Sequence, residues 1–122
     1  MAGGDVDADS YAEIAATPGP GPTHPSQFVG FNYDNGTITP LSGFLVTPFT
    51  TLFGGRVGLG DLRTDGRWDL IAAPGRDINA LNPTVMSYDY SGGALTANPG
   101  VPITPFSGDR YGVNVSAGAL GY

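Results

Sequence analysis

The chain repeats itself. The stretch GDVDADSYAEIAATPG that begins at Gly4 returns as GDLRTDGRWDLIAAPG at Gly60, 56 positions later. The correspondence continues: FNYDNG at Phe31 answers YDYSGG at Tyr88, TPF at Thr47 answers TPF at Thr104, and FGGRVGLGD at Phe53 answers YGVNVSAGA at Tyr111. Because the offset drifts only from 56 to 58, two copies of one unit with small loop insertions account for nearly all 122 residues. A unit of this length is one supersecondary module, unable to bury its apolar face without a neighbour. That requirement limits the fold more than any single motif does.

Within each unit the patterning predicts four short strands. The first is RVGL at 56–59, echoed at 113–116; the second is DLIAA at 69–73, echoed at 13–16 and nearly continuous in small and apolar residues, as in a strand covered on both faces. The third places Val29, Phe31 and Tyr33 on one face, matched by Met86, Tyr88 and Tyr90. Asp34-Asn35-Gly36 and Ser91-Gly92-Gly93 then supply hairpin turns into weaker fourth strands at 37–41 and 94–96. The chain holds 20 Gly and 11 Pro, about a quarter of its residues, and between them stand mostly Val, Ile, Leu, Phe, Tyr and Thr. This is the composition of many tight turns between short strands, so the fold class expected is all-β. Four strands in about 56 residues match the size of a β-propeller blade.

Four carboxylates, Asp5, Asp7, Asp9 and Glu13, fall within nine residues. Like charges ~4 Å apart repel by roughly 4 kcal/mol at an effective dielectric of about 20, so such a cluster needs open water or a cation. The order Phe53-Gly54, Val57, Gly60-Asp61, Asp65-Gly66, Asp69-Leu70 and Ala72-Ala73-Pro74 resembles the FG-GAP repeat of integrin α-chain propellers and many bacterial extracellular proteins. The resemblance covers both units. Ala72-Ala73-Pro74 and Ala16-Thr17-Pro18 depart from the family's Gly-Ala-Pro, but all of these residues are small. The family's acidic loop is similar to a D-x-D-x-D-G-x-x-D site for Ca²⁺, a cation that takes six to eight oxygens at ~2.3–2.6 Å. On that resemblance the first loop offers Asp5, Asp7, Asp9, the Tyr11 carbonyl and Glu13. Ser10 stands where Gly is usual, and Glu13 adds one methylene at the last ligand.

The second loop keeps Asp61, Asp65, the Arg67 carbonyl and Asp69 in register, with Gly66 at the turn, but its third position is Arg63. A guanidinium has no acceptor and cannot ligate Ca²⁺. Two arrangements are open. Arg63 turns outward and water completes a weaker Ca²⁺ site, which is the expected one, or the guanidinium folds over the carboxylates and stands in for the ion. A third loop, aligned at 118–122, lacks the acidic residues.

The unit boundaries divide the chain into a first blade at 1–55, read as strands two to four without a first strand, a second blade at 56–109, and an orphan first strand at 110–122. Donation of that strand to a neighbouring copy would complete both units and cover edges that otherwise template aggregation. A head-to-tail homo-oligomer is therefore expected, a trimer first and a tetramer next.

Five Lys and Arg against eleven Asp and Glu give a net charge of −6, the wrong sign for a phosphate backbone or an anionic membrane. No apolar run is long enough to span a bilayer, and the first 15 residues are acidic where a secretory signal is basic and then apolar. The FG-GAP resemblance nonetheless implies an extracellular or cell-surface setting. Without Cys there are no disulfides or thiolate sites. Enzymatic chemistry has little footing, because His24, the only His, lies in the Pro-rich loop PGPGPTHPSQ with no carboxylate within nine residues, and Ser26 has no base to activate it. The leading expectation is a non-catalytic, Ca²⁺-bound structural or adhesion scaffold with a protein ligand. The alternative is a propeller lectin that stacks a glycan on Trp68 or Tyr11, against which Trp68 also reads as packing between blades.

Overall fold

The computed structural model describes residues 1–76, 83–100 and 102–118. Its described residues contain no helix and form two antiparallel four-stranded sheets. The first runs β1 (Ala2–Gly4), β2 (Glu13–Ala16), β3 (Phe28–Asp34) and β4 (Thr37–Val46); the second runs β5 (Gly55–Gly60), β6 (Asp69–Pro74), β7 (Met86–Ser91) and β8 (Ala94–Ala97). In both sheets the spatial order follows the chain order, a plain meander. The repeat is visible in the ladders: Ile14 pairs with Phe31 as Leu70 pairs with Tyr88, and Tyr33 with Ile38 as Tyr90 with Leu95. Both hairpins turn through two residues of positive φ, Asn35-Gly36 and Gly92-Gly93. That is the twist-compatible turn for which Asn-Gly and Gly-Gly are suited.

Two expectations are corrected. The first unit does have a first strand, since Ala2, Gly3 and Gly4 pair with Ala15, Ile14 and Glu13. Ala-Gly-Gly has almost no strand propensity, so the ladder of β2 rather than these side chains dictates its conformation. Conversely, 113–116 forms no strand, although Val113 is buried. Val113 and, partly buried, Val115 and Ala117 pack on the outer face of the second sheet against Ile71, Ala73 and Val85. Burial rather than a hydrogen-bonded ladder positions that segment. The aligned start of a third acidic loop lies, apart from Gly118, outside the described residues.

The sheets stack face to face, with β1 and β2 against β5 and β4 against β8. Ala15, Phe28 and Phe44 of the first sheet meet Leu59, Leu70, Ala72, Tyr88 and Tyr90 of the second in the main core. Phe28 and Leu70 are completely buried, each worth about 2–3 kcal/mol of apolar transfer. Phe44 tilts against Tyr90 at 5.4 Å between ring centroids, and the Tyr90 hydroxyl donates to the Ser42 carbonyl at 2.6 Å. At the outer end of the stack Gly43, with φ +72°, brings its backbone against the Gly93 carbonyl; a Cβ there would lie 1.7 Å from that oxygen.

Candidate metal centre

Each acidic loop joins the first two strands of its sheet, and the two have the same shape. In the first, the Ala8 and Ser10 N–H groups donate to the two Asp5 oxygens at 2.7 and 3.1 Å, and Tyr11 N–H donates to Asp9 at 2.8 Å. In the second, Asp65 and Gly66 N–H donate to Asp61 at 3.1 and 2.9 Å, and Arg67 N–H donates to Asp65 at 3.0 Å. Ala8 and Thr64 share positive φ, as do Ser10 (75°) and Gly66 (85°). The turn at Ser10 therefore holds a left-handed conformation that Gly adopts without steric cost. The last carboxylate of each loop, Glu13 or Asp69, points inward and accepts one backbone N–H, from Val6 at 2.8 Å or Leu62 at 3.0 Å.

The loops diverge at one position. Arg63 folds inward over its loop, contrary to the outward arrangement expected. Its Nε lies 3.3 Å from Asp69 Oδ1, and its Nη2 lies 3.2 Å from Asp65 and 2.5 Å from Asp89. The Asp89 hydrogen bond is the main reason that its pKa is raised. Asp69, fully buried, has both oxygens satisfied, Oδ1 also accepting from Asn98 Nδ2 at 3.1 Å. For Asp61, burial pushes the carboxyl up, but the N–H groups of Gly66 and Asp65 outweigh it and hold it below the usual range.

In the first loop the position equivalent to Arg63 is Asp7, and no Lys or Arg among the described residues pairs with the carboxylates. Asp5, Asp7 and Glu13 each direct an oxygen into one space, all within 4.8 Å of one another. Glu13 is 1% exposed, yet its Oε1 has no hydrogen-bond partner. Burial raises the Glu13 carboxyl above its ordinary range despite the Val6 N–H, and the charges of Asp7, Asp9 and Asp5 add to the shift. Asp7 is raised chiefly by burial and then by Asp9. Oxygens on opposite sides of a Ca²⁺ ion lie up to about 5 Å apart, so this trio fits such an ion. A lone buried carboxylate oxygen is the kind of group that a cation satisfies.

The sequence-predicted ligands are thus only partly gathered. Asp5, Asp7 and Glu13 converge, whereas Asp9 is exposed and outside that group; the Tyr11 side chain is exposed. Among the second-loop residues, Asp65 and Asp69 meet around Arg63, while Asp61 caps its own turn. Sequence reasoning missed Asp89. Its signal was available, because Asp89 replaces Asn32 at the repeat position, adding an acid in the one unit whose loop carries Arg. Asn32 Oδ1 is buried without a hydrogen-bond partner. Trp68 is 37% exposed; its indole ring lies over Gly4 and its backbone N–H donates to the Asp5 carbonyl at 2.8 Å, joining the two loops. His24 is held in its loop, with its N–H donating to Leu52 and its Nδ1 3.2 Å from the Gly19 carbonyl.

Comparison with known proteins returned no matching family model, no matching curated protein and no matching solved structure.

Proposed function

We propose that the protein is a non-catalytic scaffold module in which two propeller-type blades of the FG-GAP kind are stapled by one Ca²⁺ ion in the first loop. Asp5, Asp7 and Glu13 supply its carboxylate ligands, and Arg63 takes the ion's place in the second. The observation that carries this reading is the buried, unpartnered Glu13 Oε1 in a loop of the same shape as one whose matching carboxylate is satisfied by a guanidinium and Asn98. An ion at the first loop would tie β1, β2 and the β5–β6 loop together through Asp5 and Trp68, so its effect is stabilisation rather than chemistry. The extracellular setting implied by the resemblance, where Ca²⁺ is abundant, agrees with this role. Thermal unfolding with Ca²⁺ against chelator tests the proposal. At 100-fold over Kd, one site adds about 2.7 kcal/mol, a rise of roughly 10 °C for a chain of this size. An unchanged midpoint refutes it.

A further inference from the structure

The packing between the two sheets has its two halves repeated on the molecule's outer faces. The second sheet buries the cross-strand pairs Leu70–Tyr88 and Tyr90–Leu95 against the first. Their repeat equivalents, Ile14–Phe31 and Tyr33–Ile38, are paired in the same register. Alternation with the core residues Ala15 and Phe28 turns them to the outer face of the first sheet. Tyr33 and Ile38 are 47% and 58% exposed there, and Ile14 and Phe31 are half-buried.

The opposite end shows the complementary half. Val46 and Phe49 pack on the main core, Phe49 edge-on to Phe28 at 6.2 Å. Their equivalents Ile103 and Phe106 are 53% and 58% exposed beside the second sheet, where Ile103 borders an open groove with Ile71 and Val85. The close backbone approach repeats too. Gly43 meets the Gly93 carbonyl within the stack, whereas its equivalent Gly100 shares the positive φ but has open space where a Cβ would be. Val115 already lies on the second sheet's outer face, as its equivalent Val57 lies on the main core.

We infer that the outer face of the first sheet docks on the outer face of the second sheet of another copy, head to tail, reproducing the internal stack. The occupant is a second copy because one chain carries both halves of an interface that it already makes once within itself. Segment 113–117 lies on that face at the repeat position of a first strand, and in the incoming copy β1 already occupies the edge of β2, so the contact forms with one of the two displaced. A heterologous contact of this kind closes into a ring or extends as a filament according to its rotation. It rests on the repeat and is independent of the Ca²⁺ reading.

The test is native mass and sedimentation in excess Ca²⁺, with circular dichroism to verify folding. The wild-type chain is expected at integer multiples of 12.5 kDa. Ile38→Glu and Phe106→Lys each place a charge in the interface and should weaken self-association roughly 100-fold or more. Mixed in equal amounts, the two retain one intact pair of faces and should form a capped one-to-one heterodimer, resolved by isotope labelling of one partner. Tyr33→Glu with Ile103→Lys is a second pair should either first variant not fold. A monomeric wild type that still responds to Ca²⁺ overturns this inference while leaving the metal site standing. Single variants that associate like wild type, or a mixture that stays monomeric, also overturn it.

Discussion

Asp7 and Arg63 occupy the same place in two loops of one shape, and the exchange inverts the electrostatics around it. With Arg63 present, one guanidinium bridges Asp65, Asp69 and Asp89 from within the chain. With Asp7 present, three carboxylates converge, and one buried oxygen has no donor. Arg63 is half in solvent, so its pairs contribute less than fully buried ones. Removing it still strands Asp69, which is wholly buried. Arg63→Ala is therefore expected to destabilise the fold by about 1–3 kcal/mol, read from denaturant unfolding in chelator. No loss would show that Asp69 is satisfied by Asn98 and Leu62 alone.

At the level of elements, the repeat and the alternation of Val29, Phe31 and Tyr33 made seven of the eight strands legible, along with both hairpins. Ala2–Gly4 was illegible because its conformation comes from pairing with β2, and 113–116 was misread because period-two patterning reports burial, not hydrogen bonding. The loop ligands were legible as a set but not individually, since Asp9 has the right spacing yet is exposed and lies outside the converging group. The loop also has a definite pH signature. The raised Glu13 carboxyl favours the protonated native state, so the stability of the metal-free protein is lower at neutral pH. It is regained as pH falls through the folded-state pKa, and the gain is complete below the ordinary value of 4.5. In Ca²⁺ the sign reverses, because protons compete with the ion. Glu13→Gln should remove its share of both trends in unfolding curves taken from pH 7 to 4; an unchanged pH difference between metal-free and Ca²⁺-loaded protein would argue against this assignment. On the far side of the stack, Gly43→Ala should cost about 2 kcal/mol or more, from positive φ and the clash with the Gly93 carbonyl. A variant as stable as wild type in denaturant would mean that the β4 and β8 ends are not held that closely.

For the whole molecule, the two sheets behave as successive units of one series: each presents one face forward and one back, and the first loop, Trp68 and the Phe44–Tyr90 contact bind them into a pair. Composition could establish the all-β class, but only the geometry of the two loops separates three converging carboxylates from a set bridged by arginine. That distinction is measured most directly by calorimetric titration of Ca²⁺ into chelator-stripped protein. One ion per chain is predicted for the wild type, and none for Asp7→Arg, which copies the second loop into the first and should be the more stable protein without metal. Absence of binding by the wild type, or a stoichiometry that Asp7→Arg leaves unchanged, would contradict the account.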